Sequence, residues 1–242
     1  MTTFSGTDEF EGASFVQASF KGARMRYVDF SGVSMRSVDV GGLDIDSHDL
    51  AFGSLTVNGV DVVPLVEAEL NRRFPGRELK DAQIPEGLRE AWVAVQAAWA
   101  ETVASTPAEL VDAHVPQEWS LSQTLRHLIL ATDCWLRSAI LKVPEPFHEI
   151  GQIFTGAAEM GFDTSIFRAE PPTYAEVLAV RAERQQMVTD FLALVSNDLL
   201  AQERADPWGG DWRPSVGDCV RVILEEEWAH LRYIQRDLAL LS

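Results

Sequence analysis

Cysteine and lysine are scarce in this 242-residue chain: the only cysteines are Cys134 and Cys219, and the only lysines are Lys21, Lys80 and Lys142. Two cysteines cannot build the disulfide framework of a small secreted domain, and they fit a reducing compartment. No apolar run approaches the length that spans a bilayer. The segment from Met1 to Gly12 is polar and acidic, without the basic and apolar regions of a secretory signal. A cytoplasmic protein is expected. Basic charge is also short: the net charge is −17. Affinity for phosphate backbones comes from Lys and Arg, so sequence-independent nucleic-acid binding is excluded. Anionic membrane surfaces are disfavoured for the same reason. What is abundant is apolar side chain, 46% of residues, enough to bury a real core. The length allows one large domain or two small ones.

The first part of the chain is a period-five repeat. Large apolar residues stand at Phe10, Phe15, Phe20, Met25, Phe30, Met35, Val40, Ile45, Leu50 and Leu55. Two residues before each runs a second series, mostly small or apolar, from Asp8 through Ala13, Ala18, Ala23, Val28, Val33, Val38 and Leu43 to His48 and Gly53. A helix places residues five apart on different sides of its axis, so no stripe forms. A strand alternates every two, so successive large residues would face opposite sides. A square coil with five residues per side satisfies the pattern, each side turning its large residue and small partner into the lumen. In this the segment resembles the pentapeptide-repeat family, over roughly residues 8–57. The resemblance implies a short right-handed quadrilateral β-helix. So short a solenoid exposes its ends, and a structural or docking role is expected, with a protein partner or a second copy as what it meets.

The remainder reads as helices. Asn58-Gly59 is a turn signal closing the repeat. A short amphipathic stretch runs from Leu65 to Phe74, and Pro75, Gly76 and Pro85 mark residues 75–85 as a linker. A first long helix is expected from Glu86 to Ala104, with Leu88, Trp92, Val95 and Trp99 at helical spacing. The second opens at Ser120 with Gln123 three residues on, the third at Thr173 with Glu176, and the fourth at Ser215 with Asp218. These are capping-box patterns or close relatives of them. The expected ends are Leu141, Ser196 and the C-terminus. Four helices of about twenty residues make a four-helix bundle. The expected organisation is therefore mostly α with a small β part: residues 1–60 as the repeat, 61–85 as short helix and linker, 86–242 as the bundle. The connections 142–172 and 198–214 are long, and long loops in compact domains are commonly lids.

On the fourth helix Val216, Val220, Ile223, Ile234, Leu238 and Leu241 share one face, and His230 falls inside it with Glu226 one turn earlier. An i, i+4 pair places both side chains on one side of the helix. Glu225, Glu226 and Glu227 are three successive carboxylates in a half-buried helix, costly unless something positive meets them. On the second helix His127 lies among the core residues Leu125 and Leu128. Imidazole with carboxylate suits Zn²⁺, Ni²⁺, Fe²⁺ or Mn²⁺, yet spacing alone does not bring His127 to Glu226. On spacing, Glu226 has Arg126 and Arg137 as equally good partners, and a single inward His is an ordinary core residue. Glu227 and His148 are the candidates for a general base. Each also has a plain reading, as a salt-bridge partner and as a solvent-facing loop histidine. Cys134 reads as a small core residue, with a thiolate ligand as the alternative. Trp135, Trp208 and Trp212 read as core or pocket wall, and His48 and His114 as structural.

Trp119 and Ser120, then Leu125, Arg126, His127 and Leu128, then Glu225, Glu226 and His230, then Tyr233, Ile234, Arg236, Asp237 and Leu238 together resemble the DinB-like bundle superfamily over roughly residues 60–242. That superfamily includes mycothiol-dependent maleylpyruvate isomerases and bacillithiol or mycothiol S-transferases. The resemblance implies a divalent metal, zinc foremost, held by His127, Glu226 and His230. It also implies a low-molecular-weight thiol as cosubstrate and a small electrophile as substrate, with hydrolysis as a related use of the same centre. The competing expectation is a non-catalytic binding module whose metal is structural or lost.

Overall fold

The computed structural model describes residues 10–26, 28–47, 50–154, 157–158 and 162–242. The repeat positions Asp8 and His48 lie outside the described residues. The chain forms two compact units, Met1–Asp46 and Ser47–Ser242.

In the first unit a turn recurs every ten residues. The amide of Ala13 bonds to the carbonyl of Phe10, Ala23 to Phe20, Val33 to Phe30 and Leu43 to Val40, each at 2.9–3.0 Å. The glycine before each donor, at 12, 22, 32 and 42, has a positive φ of 68–78°. That is a conformation glycine adopts without the Cβ penalty of other residues. Successive turns are thus two five-residue repeats apart. Neighbouring rings of the large series touch, Phe10 on Phe15 at 5.7 Å and Phe15 on Phe20 at 5.3 Å between centroids. From Phe10 to Ile45 each residue of that series keeps 45–55% of its surface exposed, while Leu50 and Leu55 are half-buried.

In the second unit a 3-10 turn at Leu50–Phe52 precedes a small hairpin, β1 (Thr56–Val57) and β2 (Val60–Asp61), turning at Asn58 and Gly59, both with positive φ. Helix α1 (Val63–Arg73) follows, with Pro64 in its first turn, where a missing N–H costs nothing. The long helices are α2 (Pro85–Ser105), α3 (Leu121–Thr132), α4 (Tyr174–Leu194) and α6 (Val216–Leu241), with a single turn, α5 (Asn197–Leu200), before the last. Ser120, Thr173 and Ser215 each accept a bond from the backbone three residues on, and the N3 side chain answers to the cap amide. Each such cap is worth about 1 kcal/mol.

In the bundle α3 packs against α4 and α6, and α2 against α6 and α4. The core between them holds Leu88, Trp92, Val95 and Trp99 of α2 and Val216, Val220, Ile223 and Ile234 of α6, all 3% exposed or less. The helix expected to run unbroken from Ser120 to Leu141 instead widens into a π-helix over Asp133–Ile140. An inserted residue of this kind shifts every later side chain around the axis. Burial is unbroken from Leu128 of α3 to Leu136 of the π-helix, across the junction of the two. No helix among the described residues is long and apolar enough to cross a membrane.

The stretch 75–85, expected as a linker, contains a 3-10 turn at Arg77–Asp81 that packs against α2 and α6. Arg77 there is 6% exposed and pairs with Glu67 at 2.9 Å. Lys80 is 4% exposed and pairs with Glu225 at 2.7 Å.

Candidate metal centre

The last helix carries the carboxylates into three different environments. Glu225 meets Lys80. Glu227 is 1% exposed and is held by the guanidinium of Arg181, itself 2% exposed, from α4. The carbonyl of Glu227 also accepts the indole N–H of Trp99 at 3.2 Å. Glu226, between them, turns toward two histidines.

His127 of α3 and His230 of α6 bring their rings to 4.6 Å between centroids. Glu226 Oε2 lies 3.4 Å from His127 Nε2 and 3.2 Å from His230 Nδ1. Donor atoms of all three residues lie within 4.8 Å of one another. Ligands around a tetrahedral ion with bonds of about 2.1 Å stand ~3.4 Å apart, which is the separation of Glu226 Oε2 from His127 Nε2. Two imidazoles and one carboxylate make a donor set suited to zinc and its first-row neighbours.

The rings are oriented by backbone carbonyls, the usual means of fixing a ligand histidine. His127 Nδ1 lies 2.9 Å from the carbonyl of Gln152, and His230 Nδ1 lies 2.9 Å from that of Glu226. A carbonyl only accepts, so in each bond Nδ1 carries the hydrogen and the lone pair sits on Nε2. Burial, assisted by the neighbouring His127 ring and opposed by Glu226, lowers the His230 pKa to about 4. The ring is therefore neutral at neutral pH, as a metal ligand must be. Trp119, the residue before the α3 cap, covers both rings at 4.8 and 6.0 Å. Tyr233 meets His230 edge-on at 5.5 Å.

The carbonyl that orients His127 belongs to a strap running back along α3. Gln152 N donates to the carbonyl of Arg126 at 3.2 Å, and Arg126 Nε donates to that of Ile150 at 2.8 Å. His148 N donates to Asp133 Oδ2 at 2.8 Å. Asp133 is fully buried and is met by Arg184 at 2.5 Å and Arg137 at 3.4 Å. Burial pushes its carboxyl pKa up, and Arg184 opposes this.

A cavity of about 230 Å³ opens at the cluster. His127 and Glu226 form its polar end, and Leu130, Ala131, Trp135, Phe154 and Trp208 the rest. Phe154 comes from the connection 142–172 and Trp208 from 198–214, so both long connections supply wall. A larger groove of about 560 Å³ between α2 and α4 is lined by Trp92, Trp99 and Arg181. Among the described residues no cluster of metal donors lies there.

A family model of the DinB superfamily matches residues 87–234, and one of pentapeptide repeats matches eight copies over residues 9–42. The chain belongs to the DinB superfamily. Searches of curated proteins and of solved structures found no match. The DinB segment takes in α3 and α4, most of α2 and of α6, and the three clustered donors. The repeat segment ends short of the Leu55 that the sequence period reaches.

The other site candidates of this DinB chain stand outside the cavity. Glu227 points to Arg181 in the bundle core. His148 lies in the strap, its Nδ1 accepting the Ile150 amide at 3.3 Å. Neither lines the cavity. Cys134 and Cys219 are buried free thiols. Burial raises both thiol pKa values, that of Cys219 to about 11, so neither supplies a thiolate at neutral pH. His114 is exposed and bonds only locally, to Val115 O at 3.1 Å. His48 lies outside the described residues. Trp135 and Trp208 are cavity wall, and Trp212 stacks edge-on against Trp135 at 5.7 Å.

Proposed function

We propose that His127, Glu226 and His230 hold a divalent cation, zinc foremost, and that the protein is a metal-dependent enzyme transferring a low-molecular-weight thiol to a small electrophile. The observation that carries this is the convergence of three donors, with both histidines oriented by carbonyls, at the polar end of an otherwise apolar cavity. A divalent ion there supplies Lewis acidity, which favours the thiolate form of a thiol at neutral pH. The protein's own part is positional. The carbonyls of Gln152 and Glu226 hold the two Nδ1 protons and keep both rings from turning. Trp119 shields the rings, while Trp135, Phe154 and Trp208 exclude water from the space where an electrophile would stand. In the transfer the sulfur lone pair forms the new S–C bond. The electrophile's leaving group departs with the bonding pair, and the thiol proton goes to solvent.

The test is a thiol-alkylation assay on zinc-loaded protein, with cysteine as thiol and chlorodinitrobenzene as electrophile. A rate above background that disappears in His230→Ala supports the reading. Equal rates in parent and variant contradict it.

A second reading is favoured by the half-exposed apolar series in the repeat. We infer that this segment winds as a right-handed quadrilateral β-helix, supported by its turn every second side, and that it docks a protein partner or a second copy. The bundle metal is then structural. The two free thiols suit the cytoplasm under either reading.

A further inference from the structure

The composition of the cavity wall says more than the donor cluster does. Beyond His127 and Glu226 every described lining residue is apolar, and three of them are aromatic. The described lining contains no Lys or Arg and no hydroxyl or amide side chain. A charged or hydroxylated group placed against Leu130, Ala131, Phe154 or the ring faces of Trp135 and Trp208 would lose hydration and find, among the described lining, only the two indole N–H donors, with no acceptor and no charge, which costs binding. The volume limits size as well. An apolar protein cavity of ~150 Å³ takes up benzene, so about 230 Å³ admits a body of one or two rings.

The aromatic walls are also braced. Phe162 stands edge-on to both Phe154, at 5.5 Å, and Trp208, at 5.3 Å. Trp212 does the same for Trp135. Edge-to-face contacts fix ring planes, and the wall therefore presents set faces to a flat guest.

We propose that this cavity selects small molecules with one polar head and an uncharged, flat, apolar body, and that Trp135, Phe154 and Trp208 are the specificity-determining residues. The head meets the His127–Glu226 end, and the body lies among the three rings. Dianionic bodies and sugar-like bodies are rejected. The proposal rests on the metal-centre reading for the head but not for the body.

Two measurements separate those parts. Fluorobenzene, followed by fluorine NMR on metal-free protein, probes the body alone. Saturable binding is expected, weakened about tenfold by Trp208→Ala or Phe154→Ala, since loss of one ring contact is worth about that factor. Trp208 is 39% exposed, so its variant is expected to keep the parent's circular dichroism. On zinc-loaded protein, calorimetry compares benzenethiol with mercaptosuccinate, which carries the same head on a dianionic body. Benzenethiol is expected to bind at least about tenfold more tightly. No saturable fluorobenzene signal, insensitivity to both ring variants, or equal binding of mercaptosuccinate overturns the proposal. Protein that takes up fluorobenzene as expected but loads no metal overturns the metal reading and leaves the apolar selectivity standing.

Discussion

Replacing Arg181 by Met removes the positive partner of a carboxylate that is 1% exposed. Breaking a buried ion pair from one side costs about 3–5 kcal/mol, because the other charge stays buried without compensation. Arg181→Met is expected to lose that much in urea denaturation at neutral pH. The pair itself is imperfectly satisfied: Arg181 Nε and Nη1 are buried, with no hydrogen-bond partner among the described residues. Replacing both members by apolar residues, Arg181→Met with Glu227→Leu, is therefore expected to recover most of the loss. Burial already pushes the Glu227 carboxyl up, against the opposing pull of Arg181, and removal of Arg181 pushes it further. A folded-state pKa above the unfolded one means that the folded protein binds the proton more tightly. The single variant's deficit should shrink as pH falls through the raised pKa, by up to about 1.4 kcal/mol per pH unit. It should be fully present only above that pKa. The double variant, with no carboxyl left there, should show none of that pH dependence. A deficit under about 1 kcal/mol, unchanged with pH, would refute the placement of Glu227 in the core and reopen it as a base facing the cavity.

Other outcomes follow from the same contacts. A Cβ at Gly151 would stand 3.0 Å from the Phe167 ring and 3.2 Å from the His148 carbonyl. Gly151→Ala should then shift the strap, cost about 1 kcal/mol and loosen the Gln152 carbonyl from His127. Nitrogen NMR of the imidazole should report Nδ1–H in the parent and a mixed tautomer in the variant, and an unchanged tautomer would detach the strap from the site. Both cysteines should resist a thiol-labelling reagent in the native protein and react once it is unfolded, and prompt native labelling would contradict their burial. Glu227→Gln should leave metal stoichiometry at the parent's value, whereas loss of metal would make Glu227 part of the centre.

The helix starts were legible because their chemistry is local. Ser120, Thr173 and Ser215 announce caps within four residues of sequence, and the structure closes all three boxes. The core faces of α2 and α6 were legible for a related reason, since burial repeats at the helical period. The π-helix at Asp133–Ile140 was not, because periodicity gives no sign of one inserted residue. Lys80 looked like linker because Pro75, Gly76 and Pro85 surround it, and its partner Glu225 is a tertiary neighbour. Arg181 and Arg184 had a usable signal. They share a stripe with Val177, Val188 and Leu192, all buried on one face of α4, and charge on such a stripe calls for buried partners. Those partners, Glu227 and Asp133, could not be paired from spacing. The clustering of His127 with Glu226 and His230 was equally beyond spacing and rested on the family resemblance. Of the cavity's aromatic wall, Trp135 and Trp208 were readable as core or pocket wall, whereas Phe154 was one apolar residue in a long connection.

The central claim is that the bundle binds a metal through His127, Glu226 and His230. The direct measurement is metal content by elemental mass spectrometry on tag-free protein, beside a His127→Ala/His230→Ala variant with the parent's circular dichroism. Near-stoichiometric zinc or a neighbouring divalent metal in the parent, absent from the variant, is the predicted result. No metal in the parent after incubation with Zn²⁺, Ni²⁺ and Mn²⁺, or equal metal in both proteins, would contradict it.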